Sequence, residues 1–497
     1  MARIVVVGAG MGGLAAAARL AVGGHRVTVC ERTQVSGGKL GVHRREGFVF
    51  DTGPSLLTMP DVYRQLFTDT GAPLEYYCDL SRVDPACWYR FADGTQLSMP
   101  GNSREVPAAL DQALGDGAGQ QWSSLHETTA RLWHIVNDTV MQRPLQGPRD
   151  LLRHATRLRD LAAIAPWRTL RGMGSRHLHD WRLRTWLDRY ATYTGSDPRR
   201  TPAVMAVAAH IEQHYGAWYV KGGLHRLAQA LHERCLERGV RFHHGCEVVE
   251  VTTAGTRVDG VRLRDGSALA ADVVISNADA AHLYGRLTAD PRSQGAHTAL
   301  RRAVPSFSGF ALLMALRGRE RGTPHHRVFF PRDYDAEFDA LFGSHARPVT
   351  DPAIYISAPD DPALRPDNAH EAWFVLVNAP RHSPSEAAGT VDWEATGLRH
   401  SYAEHVLDVL ADRGLDVRDR LLWYETRTPA DLERHHSAPG GAIYGTSSNG
   451  LRAAFLRPAN RSPVPGLFLV GGSSHPGGGL PLVALSASIT ASLIGAC

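Results

Sequence analysis

The sequence predicts an α/β fold in which a parallel-sheet domain is interwoven with a second domain of mixed α+β character. Three observations carry that expectation. The chain opens with a strand, a glycine turn, a helix and a second strand; it closes with a strand, a glycine cluster and a helix; and its 497 residues exceed what one core holds, since domains run to roughly 150 residues each.

Arg3-Ile4-Val5-Val6-Val7 is a β-branched run too short for a helix. The alanine-rich stretch from Gly12 to Val22 reads as helix, and Arg26-Val27-Thr28-Val29-Cys30 is a second strand ending at Glu31. A helical crossover makes the two strands parallel and buried. From Pro107 to His210 the pattern is helical. Strand character returns at 241–243, 247–251 and 258–263, and Asp265-Gly266 is a hairpin turn toward a strand leading to Ala271-Asp272-Val273-Val274-Ile275. Strands near 308–316, 353–358 and 372–378 and a helix near 393–413 follow. The chain then returns to its opening style, with a buried strand at Gly466-Leu467-Phe468-Leu469-Val470 and a helix from about Leu482. The expected segments are 1–105, 211–290 and 431–497 for the parallel-sheet domain, 106–210 as a helical substrate- or membrane-facing part, and 291–430 as the substrate domain.

Composition excludes several classes. Fifty-four basic against 50 acidic residues leave a net charge of +4, which does not suit a nucleic-acid-coating protein, and 43% hydrophobic with 21% charged residues is ordinary for a globular chain. Thirteen arginines face five aspartates between Arg143 and Arg200. That stretch reads as a solvated helical face or, with Leu151, Leu152, Trp167 and Trp181 opposite, as a surface for anionic lipid headgroups. Cys30, Cys78, Cys87, Cys235, Cys246 and Cys497 are scattered without CxxC or Cys/His spacing, so no metal is expected and a reducing cytoplasm fits. Glycines interrupt the apolar N-terminus and no cleavage site follows, which argues against a signal peptide. No apolar run is long enough to span a bilayer, so any membrane contact is expected to be peripheral.

Gly8-Ala9-Gly10-Met11-Gly12-Gly13 matches GxGxxG directly after a strand and at the start of a helix. Gly8 permits the tight turn, Gly10 lets main chain approach a pyrophosphate, and Gly13 lets helix pack on strand, while the helix N-terminus supplies amides and partial positive charge. Glu31, at the end of the second strand, is placed to accept from ribose hydroxyls and argues against a 2′-phosphate. The fold expected is therefore Rossmann-like, and the ligand a dinucleotide. Gly37-Gly38-Lys39 follows, then Asp51-Thr52-Gly53-Pro54-Ser55. This extended pattern resembles the FAD-binding segment of glutathione-reductase-like flavoproteins, which implies FAD.

Three further stretches, Phe50 to Pro60, Asp188 to Pro198 and Gly222-Gly223-Leu224, look like bacterial phytoene desaturases. So does the closing Gly466 to Pro481, which contains Gly471-Gly472-Ser473-Ser474-His475-Pro476-Gly477-Gly478-Gly479-Leu480-Pro481. The resemblance to these carotenoid desaturase flavoproteins spans nearly the whole chain. It implies cofactor contacts from Gly8, Gly10, Gly12, Gly13, Glu31, Gly37, Gly38, Lys39, Asp51, Gly53, Pro54, Ser55, Val248, Gly471, Gly472, Gly478, Gly479, Leu480 and Pro481, with His475 the one side chain singled out as a catalytic candidate. Two departures stand out: Gly471-Gly472 replaces the Gly-Asp of many related flavoproteins, and Lys221 stands where a proline-containing turn is common.

No second GxGxxG follows a strand, so electrons are expected to leave for an acceptor such as oxygen or a quinone rather than arrive from NAD(P)H. The activity implied is desaturation of a carotenoid-like polyene by hydride transfer to flavin N5. Alternatives are a dehydrogenase of a hydroxylated, shorter or carrier-bound polyene, a redox-neutral flavin-dependent isomerase and, less well matched, an amine oxidase. The partner expected is an apolar polyene, with a membrane surface as a second.

Overall fold

The computed structural model describes residues 1–145, 147, 150, 167–385 and 389–497. Residues 151–159, prominent for their arginines, and Leu151 and Leu152 with them, lie outside the described residues.

The opening unit forms as its pattern requires. β1 (Arg3–Val7), α1 (Met11–Val22) and β2 (Arg26–Glu31) make a βαβ crossover with β1 and β2 parallel. The complete sheet runs Leu467–Leu469, Val273–Ser276, β1, β2, Arg241–His244, parallel throughout, so four remote parts of the chain share one core. Ala15, Ala16, Ala17 and Ala18 of α1 are fully buried. Their small side chains let α1 lie closely between the helices His225–Glu237 and Leu480–Ile494.

The second sheet has seven strands in the order Leu421–Arg427, Ser308–Arg317, His370–Ala379, Ile354–Ser357, His326–Phe329, Cys87–Arg90, Gln96–Met99. It is antiparallel except where His326–Phe329 meets Cys87–Arg90. Sheet pairing thus joins 87–99, which the sequence reading grouped with the first segment, to the seven-stranded sheet. Helices Val106–Leu114, Ala118–Val136, Leu170–His177, Trp181–Arg189 and Val207–Tyr215 pack beside this sheet in a core built on Trp122, Trp186 and Phe338.

Two local expectations change. The hairpin at Asp265-Gly266 joins Arg257–Leu263 to Ala268–Ala270, and the chain then crosses to the other sheet, where Val273–Ser276 pairs with β1. The single strand expected there is two strands in two sheets, because Asp272 is held to Arg3 of β1, accepting from its main-chain N–H at 2.8 Å. The last helix begins at Leu480, with Pro481 in its first turn. The arginine-rich segment is also less solvated than its composition suggests: Arg171 is bonded to Asp188 and Asp335, Arg182 to Asp180, and Arg199 to Asp197 and Asp339.

Glu337 gives the fold a measurable pH dependence. It is fully buried, accepting from Ala353 N–H at 2.6 Å and Asn378 Nδ2 at 2.7 Å, and burial raises its carboxyl from 4.5 to about 7. The folded state then holds a proton that the unfolded chain has released, so stability falls as pH rises from about 4.5 to about 7. Urea unfolding midpoints measured across that window should fall less steeply in Glu337→Gln than in the wild type.

Candidate active site

The register of the parallel sheet builds the site. Val7 pairs with Ser276, so Gly8 and Asn277 leave the carboxyl edge side by side, and Asn277 donates its main-chain N–H to Val7 O at 2.9 Å. A Cβ on Gly10 would stand 2.5 Å from Asn277 Nδ2. One on Gly12 would stand 2.6 Å from Asn277 Oδ1 and 3.0 Å from Gly471 Cα. The second glycine pair closes on the same point: Gly37 N–H donates to Ala9 O at 2.9 Å, and a Cβ on Gly38 would lie 3.0 Å from Gly10 Cα. Gly13 serves packing alone, since its Cβ would sit 2.2 Å from Gly8 O.

These segments wall one cavity of about 600 Å3. Glu31, Cys246 and Val248 stand at one end. Gly10, Gly12, Asn277 and Gly471 form its waist, and Lys39, Gly53, Pro54, Ser55, Tyr444 and Gly478 surround the next part. Apolar side chains line the rest of the cavity, Phe307, Val328, Ile354, Phe374 and Leu376 among them. Glu31 is held rather than free: Oε2 accepts from Ala9 N–H at 2.8 Å, and Oε1 from Thr33 N–H at 2.9 Å and Thr33 Oγ1 at 2.8 Å. A carboxylate has about four lone-pair directions and three are taken here, so acceptor capacity is left for one ribose hydroxyl.

Two helices point their N-termini at this cavity, α1 capped by Gly10 and Leu480–Ile494 capped by Gly479, and neither has a side-chain cap. Amides and positive dipole ends are thereby left for an anion. A waist of glycines against the Asn277 amide, two uncapped helix ends and the Glu31 carboxylate fit the pyrophosphate, the flavin and the ribose of FAD.

Every expected cofactor residue lines the cavity except Gly13 and Asp51. Asp51 instead caps a helix, accepting from Leu224 N–H at 2.7 Å and His225 N–H at 2.9 Å. His475 also stands elsewhere. Its Nε2 lies 3.0 Å from Val140 O and 2.9 Å from Arg143 O, it borders a separate small cavity, and burial keeps its imidazole below the ordinary range. Lys39 does line the cavity, with Nζ donating to Ile443 O at 2.6 Å and Ala442 O at 3.3 Å, and burial lowers its ammonium despite the nearby Asp279.

Several residues here escaped the sequence reading. Asn277 had a readable signal, as the residue just past a buried strand at the sheet's carboxyl edge, where ligands gather. Tyr444, whose ring lies 2.6 Å from where a Gly478 Cβ would stand, had none. Nor had Arg457, which holds Tyr444 O at 2.8 Å and Thr446 O at 2.9 Å.

A Rossmann-type sheet with a glycine-walled cleft across its switch point, continued by a mostly apolar chamber, defines an FAD-dependent oxidoreductase. The chain belongs to the flavin containing amine oxidoreductase family, whose profile matches residues 11–338, and within it to the carotenoid desaturase-like flavoproteins. It is 34% identical to 4,4'-diapolycopene oxygenase of Methylomonas sp, over 98% of this chain and 97% of that one. It is also 34% identical to zeta-carotene-forming phytoene desaturase of Myxococcus xanthus, over 98% and 92%. An oxidoreductase from Methanosarcina mazei shares the fold at TM-score 0.65 and 17% identity, with 99% of each chain covered.

Gly12→Val should lower bound flavin by at least about tenfold, since the added side chain fills the waist. Gly295→Ala should retain full flavin, because nothing lies within 4 Å of that position. The ratio of visible flavin to protein absorbance in the purified proteins reads both. Glu31→Ala should weaken ADP binding, measured by calorimetry, by about tenfold, the worth of a hydrogen bond or two.

Proposed function

We propose that this chain is an FAD-dependent desaturase that removes two hydrogens from adjacent carbons of a carotenoid-like polyene. The observation that carries the reading is the continuity of the cavity, in which the glycine-walled dinucleotide half runs directly into the apolar half. A nicotinamide donor has no second glycine motif to bind, so the polyene is the electron source. The full-length similarity to a phytoene desaturase supports the same substrate class.

Bound FAD supplies the hydride acceptor. The apolar wall from Phe307 to Leu376 excludes water and holds an extended chain in line with the flavin part of the cavity, which lowers the barrier chiefly by positioning. The second hydrogen leaves as a proton, and the hydroxyls that line the cavity include a connected pair: Ser55 Oγ lies 2.6 Å from Tyr355 OH, which lies 2.8 Å from His326 Nδ1. Burial, with His325 and Arg189 beside it, keeps His326 well below the ordinary imidazole range. It is therefore neutral, and its Nδ1 shares one hydrogen bond with the Tyr355 hydroxyl.

Peripheral membrane contact by a cytoplasmic enzyme belongs to the same reading. Among the described residues no helix is long and apolar enough to cross a membrane, and Trp167 and Trp181, 71% and 42% exposed, offer apolar anchors within the arginine-rich segment.

Anaerobic mixing of the yellow protein with a carotenoid polyene should bleach the visible flavin absorbance and yield a product lacking two hydrogens. An isomerase would leave flavin oxidised and product mass unchanged, and either result overturns desaturation. A second reading, favoured by the 34% identity to an oxygenase, predicts a product that has gained oxygen when air is admitted. Binding to anionic liposomes should fall severalfold in Trp167→Ala/Trp181→Ala and with added salt, as a sedimentation assay would show.

A further inference from the structure

A hydrocarbon needs only the apolar wall of the cavity, yet a guanidinium stands in it. Arg189 lines the cavity and donates from Nη1 to Tyr193 OH at 2.6 Å. Its guanidinium carbon lies 5.1 Å from the Tyr193 ring and 5.8 Å from the Tyr355 ring. Its sequence neighbour Asp188 is no counter-ion, because that carboxylate is taken by Arg171 at 2.7 Å. The balancing charge is Glu212, reached only through phenols: Oε2 accepts from Tyr193 OH and Oε1 from Tyr190 OH, each at 2.8 Å.

A guanidinium carries five N–H donors. Among the described residues, Tyr193 OH is the only acceptor hydrogen-bonded to Arg189, so Nε and Nη2 remain to be satisfied from the cavity. Ser55 and the Tyr355 hydroxyl add a second polar wall nearby. Covering those donors with hydrocarbon alone would displace water and leave buried donors unmet, at a cost in affinity. An oxygen lone pair meets them. Because Glu212 already balances the arginine charge, a neutral oxygen suits the corner better than a carboxylate.

We propose that Arg189, with Tyr193, Tyr355 and Ser55 around it, forms an oxygen-recognising subsite. The polyene this enzyme takes carries a hydroxyl or carbonyl oxygen that accepts from Arg189, and that contact sets which carbon–carbon bond lies beside the flavin. The inference rests on the desaturase reading and specifies its substrate.

The test compares a hydroxylated polyene with the hydrocarbon of the same length, using the FAD-loaded protein. Anaerobic flavin reduction gives kcat/KM, and quenching of tryptophan fluorescence gives Kd. Wild type should favour the hydroxylated polyene by about 10- to 100-fold in both, the span expected for a hydrogen bond to a charged donor. Arg189→Met should bring that ratio close to one. Equal efficiency in the wild type overturns the subsite whatever the variant does, including a variant that fails to fold. An unchanged ratio in folded, flavin-loaded Arg189→Met also overturns it. If neither polyene reduces the flavin, the desaturase reading falls and the inference with it, whereas reduction by both without discrimination removes the subsite alone.

Discussion

Around Asn277, separate parts of the chain must bring main chain together at distances that no side chain tolerates. Gly10 and Gly12 face the Asn277 amide, Gly38 presses on Gly10, and Gly471 comes within reach of Gly12, each at a spacing where a Cβ would meet atoms at 3.0 Å or less. The parallel register sets this up, because it delivers Gly8 and Asn277 to the same edge of the sheet. The small-residue packing of α1 follows, since the helix must start at the waist and still fit between two other helices. So do the long cavity and its uncapped helix ends.

Positive charge then organises what closes over this waist. Lys39 reaches Ala442 O and Ile443 O, and Arg457 reaches Tyr444 O and Thr446 O, so two desolvated cations fasten one loop to the nucleotide side. Burial lowers both, Arg457 to about 10, which still leaves it protonated at neutral pH. Carbonyl oxygens make this tolerable, because a buried cation with good acceptors avoids most of its desolvation cost. Arg189 differs in having, among the described residues, a single phenol as its protein acceptor.

Legibility followed the distance over which each signal acts. GxGxxG, Glu31 and the Gly37-Gly38 pair could be placed because a turn, a helix start and a strand end are local events. Asp51 sat in the right motif, but its carboxylate is consumed by the amides of Leu224 and His225, more than 170 residues away. His475 fell within a glycine block that does line the cavity, yet its ring turns to Val140 and Arg143 on the far side. Strand 87–90 was grouped by proximity in sequence and belongs by pairing to the sheet of 326–329.

By itself the sequence determined the βαβ opening, the dinucleotide turn, the choice of FAD and the flavoprotein family, because each rests on residue types at short fixed spacings. Only the tertiary structure decided that Asn277 completes the waist, that Asp51 caps a helix and His475 turns to Val140 and Arg143, and that Arg189 and Glu212 share one chamber through Tyr193. Those outcomes depend on sheet register and on which way a side chain turns. Both are settled by the competition of distant groups for the same buried space and the same hydrogen bonds, which no local pattern encodes.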